Sequence, residues 1–231
     1  MRQDNRKNNE LRPIKFTLDY IEHPLGSCLV EFGNTKVLVC ASYENDIPKW
    51  MEKDSLEGWL TAEYSLLPAS THQRCQRERT KISGRTQEIQ RLIGRSLRAC
   101  LDLKKIKGKT FIIDADVIQA DGGTRTASIC GAYKALSSMT DKLLKSGELT
   151  ENPIIEPIGA ISAGIVNNEI MVDLCYEEDS SAQVDSNIVL TKSGKIIEFQ
   201  TTAEGNPFEK NQMDEIYNLA YSSILKIINM Y

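Results

Sequence analysis

The chain has 231 residues, of which 41% are hydrophobic and 26% are charged, and its formal net charge is −4. These values are typical of a globular protein, and the length suits one large domain, residues 1–231. Apolar runs stay short of the roughly 20 residues that cross a membrane, and the first ten residues lack the apolar core of a signal peptide. The six cysteines form no Cys-x-x-Cys pair, so we expect reduced thiols in a cytoplasmic protein without a membrane association.

Apolar periodicity predicts nine strands and three helices. The strands are expected at about residues 14–20, 27–32, 36–43, 59–66, 109–119, 158–166, 169–176, 186–191 and 195–202. The helices are expected at about 85–102, 125–146 and 209–229, the last with Asn206 as its cap and Pro207 in its first turn. This order predicts an α/β (α+β) fold in which helices pack on mixed sheets.

Two adjacent glycines stand between the fifth predicted strand and the second predicted helix. Gly122 and Gly123 allow backbone angles closed to other residues, and the free N–H groups of a helix start attract anions. Thr124 and Arg125 add a hydroxyl donor and a charged fork. The segment therefore suggests a phosphate site, with a plain turn and a solvated arginine as the alternative.

A basic segment precedes the first predicted helix and continues along one face of it. Residues 72–98 contain eight Lys or Arg and two Glu, a local charge of +6 in an acidic chain. Such an asymmetry favours a polyanionic partner, although a solvated helix face or a subunit contact is the alternative.

An acidic segment, residues 173–185, begins within the seventh predicted strand. It contains five carboxylates and no basic residue: Asp173, Glu177, Glu178, Asp179 and Asp185. Paired carboxylates suit a hard divalent cation such as Mg²⁺, and a solvated acidic loop is the alternative. Asp179 and Asp185 are six residues apart, so their convergence depends on how the intervening chain bends.

Together these segments closely resemble the ribonuclease PH family, in the family's order and over nearly the whole chain. The most specific strings are Gly-Arg-Thr-x-Glu-Ile-Gln-Arg-Leu-Ile-Gly-Arg, starting at Gly84, and Asp-Gly-Gly-Thr-Arg-Thr-Ala-Ser, starting at Asp121. The resemblance implies a βαβα fold of the ribonuclease PH type. It also implies a phosphate-dependent 3′-to-5′ exoribonuclease, a nucleotidyltransferase, that trims tRNA precursors and releases nucleoside diphosphates.

The resemblance also implies roles for particular residues. Phosphate, the co-substrate, is expected at Arg85, Gly123, Thr124 and Arg125. Asp179 and Asp185 are expected to be catalytic and to hold Mg²⁺, and the sequence leaves open whether either acts as a general acid. RNA, including tRNA precursors and rRNA 3′ ends, is expected at Arg74, Arg77 and Arg91. The implied assembly is a homo-oligomeric ring, a hexamer built as a trimer of dimers.

The chain departs from the family pattern in its basic loop. Ala69 stands where the family commonly has arginine, and residues 77–84 are about two residues shorter than usual. These changes bear on RNA affinity and on subunit contacts. They leave as an alternative function a non-catalytic or weakly catalytic RNA-binding ring subunit.

Overall fold

The computed structural model describes residue 2 and residues 4–231. Two β-sheets and four α-helices make up this part of the chain. The first sheet consists of Ile14–Leu18 (β1), Gly26–Phe32 (β2), Thr35–Glu44 (β3), Trp59–Leu66 (β4) and Thr110–Gln119 (β5). Its strand order is β1-β2-β3-β5-β4. The second sheet consists of Ile158–Val166 (β6), Glu169–Val172 (β7), Val184–Thr191 (β8) and Ile196–Ala203 (β9). Its strand order is β7-β6-β8-β9.

Most neighbouring strands run antiparallel, and the exception positions the first helix. Strand β4 pairs with β5 in parallel, and a parallel pair needs a crossover connection, usually a helix. Helix α1, Gly84–Ala99, makes that crossover and is followed by a short 3₁₀ helix, Leu103–Ile106. The remaining helices are α2 (Thr124–Ser146), α3 (Tyr176–Ser180) and α4 (Lys210–Ile228).

The elements stack in four layers. Helix α2 packs on β2 and β3 with one side and on β6 with another, whereas α4 packs on the far face of β6 and β7. Strand β6 is buried along its whole length because helices cover both of its faces. One continuous apolar cluster runs through both sheets and α2. The predicted α/β fold with a sheet–helix–sheet–helix order is confirmed.

Several predicted details of the elements were wrong, and two of them concern the acidic segment and the last helix. The seventh strand ends at Val172 and not at 176, because Asp173 has a φ of 55° and turns the chain out of the sheet. The acidic segment after it forms α3, a one-turn helix too short for a periodic sequence signal. The last helix is capped by Glu209 in a capping box with Gln212, so Asn206 is not its cap and Pro207 does not lie in its first turn.

Within the described residues, no helix combines the length and apolar character that a membrane crossing requires.

Candidate active site

Strand β5 leads into α2 through a turn formed by residues 121–123, here called the glycine turn. Gly122 and Gly123 both have positive φ, 71° and 67°. A Cβ on Gly122 would lie 2.4 Å from the carbonyl oxygen of Leu174, so only glycine fits against that backbone. Gly123 caps α2 without a side chain. In the described structure no acceptor takes the N–H groups of Thr124, Arg125 and Thr126, which leaves an anion site at the helix start.

Two arginines and a tyrosine surround this helix start. Arg125 lies in the first turn of α2 and Arg85 in the first turn of α1, and the positive charges of both act on the Tyr64 hydroxyl. That hydroxyl donates to Thr124 Oγ1 at 3.0 Å, so the threonine's own proton is left for another acceptor. Burial raises the pKa of Tyr64, so the phenol stays protonated and serves as a donor. The predicted phosphate residues are therefore brought together.

Glu88 forms a long ion pair with Arg125. Its Oε2 lies 3.6 Å from Arg125 Nη2, and its Oε1 accepts a hydrogen bond from Gln200 Nε2 at 3.1 Å. Arg125 Nε is buried and has no acceptor among the described residues. The guanidinium thus keeps donors free for an anion.

Asp179 and Asp185 meet beside these arginines. Asp179 lies on α3 and Asp185 on β8, and the two carboxyl groups are close enough for each to shift the pKa of the other. Burial, and then the charge of Asp179, raises the pKa of Asp185 to about 6. Burial also raises the pKa of Asp179, although the charges of Arg125, Arg85 and Arg12 oppose that shift. The structure therefore places a positive anion site against a pair of repelling carboxylates.

This carboxylate pair fits a divalent cation. Asp185 Oδ1 is buried and has no hydrogen-bond donor among the described residues, so a lone pair is left for a ligand. The described residues contain no group of three or more His, Cys, Asp or Glu side chains that could hold a metal. A cation here would have two carboxylates and complete its shell with water or substrate oxygens, as Mg²⁺ commonly does.

The rest of the acidic segment does not join the pair. Asp173 is buried and binds Arg12, with Nη2 and Oδ1 2.7 Å apart. Glu178 is buried and binds Arg2 through two hydrogen bonds of 2.6 and 2.7 Å. These two carboxylates are structural, and they fasten the N-terminal segment to the chain around α3.

Comparison with known proteins identifies the family. The model of the 3′ exoribonuclease family, domain 1, matches residues 10–140, and the model for domain 2 matches residues 156–223. Ribonuclease PH of Bacillus subtilis is 51% identical over 232 aligned residues, covering 99% of this chain and 94% of the relative. The chain belongs to the ribonuclease PH family of 3′ exoribonucleases. The family predicted from the sequence motifs is thereby confirmed.

Solved structures support the ribonuclease PH fold. An Archaeoglobus fulgidus exosome structure with RNA bound to the active site superposes with a TM-score of 0.84, at 23% identity and covering 99% of this chain and 92% of the other. Rice Rrp46 superposes with a TM-score of 0.81, at 17% identity and covering 99% and 97%. At these identities the likeness concerns the fold.

The predicted RNA residues lie outside the candidate site just described. Arg74 and Arg77 are exposed in the loop between β4 and α1, and Arg91 is exposed on α1. A cavity of about 870 Å³ is lined by Asp121 of the glycine turn together with Arg12, Ala69 and His72. Neither the arginine pair nor the carboxylate pair lines this cavity, so the helix start, where the charges converge, is the candidate site.

Four residues of the site were missed by sequence reasoning: Tyr64, Glu88, Gln200 and Arg12. Tyr64 lies on an alternating strand, and its inward position was readable only as core. Glu88 lies three residues after Arg85, which puts both on one face of α1. Gln200 and Arg12 reach the site through long-range contacts, for which a single sequence carries no signal.

Proposed function

We propose that this protein is a phosphate-dependent 3′-to-5′ exoribonuclease that trims the 3′ ends of tRNA precursors and releases nucleoside diphosphates. The observation that carries the proposal is the meeting of Arg85, Arg125 and the free α2 amides with Asp179 and Asp185. Family membership and 51% identity to a ribonuclease PH support it.

Inorganic phosphate is the nucleophile, so the chain has to hold one anion against another. The two arginines, the Thr124 hydroxyl and the α2 amides bind the phosphate and offset its charge. An oxygen of hydrogen phosphate forms a bond to the terminal phosphodiester phosphorus, and the bond from that phosphorus to the neighbouring 3′ oxygen breaks. The proton of hydrogen phosphate ends on that oxygen, giving a nucleoside diphosphate and an RNA one residue shorter.

Asp179 and Asp185 hold the cation in this proposal. Mg²⁺ would supply positive charge near the transferring phosphoryl group and the leaving oxygen. The unpartnered Oδ1 of Asp185 and the repulsion within the pair support this assignment. With a cation bound, the two carboxylates would hold the RNA end near the phosphate at the start of α2.

RNA approaches over the basic loop in this proposal. Arg74, Arg77 and Arg91 are exposed and free to contact the phosphodiester backbone, which positions an RNA without reading its sequence. The same loop suits tRNA precursors and rRNA 3′ ends, because both present a flexible single-stranded tail.

The assembly and location belong to the same proposal. We expect a homo-oligomeric ring, a hexamer formed as a trimer of dimers, in which several basic loops raise the effective concentration of a bound RNA. One apolar cluster that includes both sheets supports treating residues 1–231 as one domain. Six free cysteines, three of them buried, support a reducing cytoplasmic location.

The proposal is tested by incubating the protein and Mg²⁺ with a tRNA precursor, with and without phosphate, and identifying the released nucleotides. Diphosphates that appear only with phosphate are expected, and Asp179→Asn should release none. Monophosphates would indicate hydrolysis. RNA binding without any release would indicate the non-catalytic ring subunit instead.

A further inference from the structure

Arg12 lies directly behind the glycine turn and is only 5% exposed. Its Nη1 donates to the carbonyl oxygen of Asp121, and its Nη2 donates to that of Gly122 at 3.4 Å. Its charge is already balanced by the buried carboxylate of Asp173, 2.7 Å away. Arg12 therefore orients the carbonyl groups of the turn, and its charge is not available to bind phosphate directly.

Thr35 holds the same turn from the start of β3. Its hydroxyl is buried, donates to the carbonyl oxygen of Gly122 at 2.7 Å and accepts from the N–H of Asp121 at 2.9 Å. The hairpin before it also fits around Arg12, because a Cβ on Gly33 would lie 2.7 Å from Arg12 Cδ. Arg12 and Thr35, both far from the turn in sequence, thus bind the carbonyl groups of Asp121 and Gly122.

These contacts decide which groups of the turn remain free. If α2 began one turn earlier, the carbonyls of Asp121 and Gly122 would accept from the N–H groups of Arg125 and Thr126. Arg12 and Thr35 take those carbonyls instead. The N–H groups consequently stay available and point toward the anion site.

We propose that Arg12 and Thr35 are positioning residues that hold the glycine turn in its phosphate-binding conformation. The inference rests on the phosphate site proposed above. It gives Arg12 a role in phosphate affinity, with no direct contact to phosphate.

The test compares Arg12→Lys with Arg6→Lys. Arg6 is a matched control because it contacts the same Asp173, at 3.3 Å, while none of its hydrogen bonds within the described residues goes to the turn. Lysine keeps the charge, but its single ammonium group cannot donate to Asp173 and to both turn carbonyls at the same time. Binding of inorganic phosphate is measured by calorimetry, and binding of a single-stranded RNA by fluorescence anisotropy.

Arg12→Lys should weaken phosphate binding about tenfold, as small displacements of a positioned group commonly do. RNA binding should be unchanged, and Arg6→Lys should bind both ligands like the wild type. Equal losses in the two variants, or phosphate affinity within about twofold of wild type in Arg12→Lys, would overturn the inference. If Arg12→Lys fails to fold, Thr35→Val is the second test. This variant removes the hydrogen bond to the Gly122 carbonyl and keeps the buried ion pair between Arg12 and Asp173. It too should weaken phosphate binding about tenfold.

The result is separable from the proposed function. A wild-type protein that binds phosphate but releases no diphosphates would end the exoribonuclease proposal, while weakened phosphate binding in the variants would still support the positioning role. Diphosphate release with unchanged phosphate binding in Arg12→Lys and Thr35→Val would end the positioning role alone. A wild type that binds no phosphate would overturn both.

Discussion

Replacing Asp185 by asparagine should stabilise the metal-free protein while abolishing turnover. Burial and the neighbouring Asp179 raise the pKa of Asp185 from its ordinary value of 3.8 to about 6. Two pKa units correspond to about 3 kcal/mol in favour of the neutral form. Ionised Asp185 therefore costs the folded state up to about 3 kcal/mol, and asparagine removes that cost and can donate its amide to Asp179.

The pH dependence has a defined sign. Because the folded pKa lies above the unfolded one, the destabilisation is absent well below pH 3.8 and complete above about pH 6. The gain from Asp185→Asn should be up to about 3 kcal/mol at pH 7.5 and about half of that at pH 5. The free energy of unfolding is measured in urea with EDTA, at both pH values and one protein concentration.

Asp173→Asn is the matched control with the opposite sign. Asp173 is buried against Arg12 and Arg6, and removing one partner of a buried ion pair costs about 3–5 kcal/mol. Asp173→Asn should therefore destabilise the protein by that amount. An Asp185→Asn variant less stable than wild type at pH 7.5, or an equal gain at both pH values, would refute the reasoning.

Three further predictions concern the phosphate site, the glycine turn and the assembly. Arg125→Ala should raise the phosphate KM by about 10- to 100-fold through the loss of charge-assisted hydrogen bonds, and loss of RNA affinity at an unchanged phosphate KM would contradict its role. Gly122→Ala should lower the free energy of unfolding by about 2 kcal/mol or more, because its Cβ would meet the Leu174 carbonyl at 2.4 Å; Gly84→Ala, with open space around it, should not destabilise, and equal effects would remove the steric argument. A ring should be detected by light scattering at low salt and should partly dissociate at high salt; a monomer that processes a tRNA precursor at full rate in both would refute the assembly.

The sequence predicted those parts of the site that depend on local chain geometry. The two glycines between an apolar strand and an amphipathic helix correctly placed Thr124 and Arg125 at a helix start. Arg85 was placed in the same way, since its helix also begins within one residue of the predicted position. Apolar periodicity and glycine content are local signals, so a single sequence is enough to locate where these two helices begin.

The contacts between distant segments were not predictable in the same way. Asp179 and Asp185 come together only because Asp173 ends a strand and α3 turns the chain back toward β8. The five carboxylates of the acidic segment look alike in sequence. Burial against Arg2 and Arg12 separates Glu178 and Asp173 from the proposed catalytic pair, and those arginines lie more than 150 positions away.

The most direct test of the central claim follows isotopically labelled phosphate into the product. The protein is incubated with Mg²⁺, a tRNA precursor and ¹⁸O-labelled inorganic phosphate, and the released nucleotides are analysed by mass spectrometry. The account predicts nucleoside diphosphates that carry the label in the β-phosphoryl group, and none from Asp185→Asn. Unlabelled monophosphates, released equally well without phosphate, would contradict it.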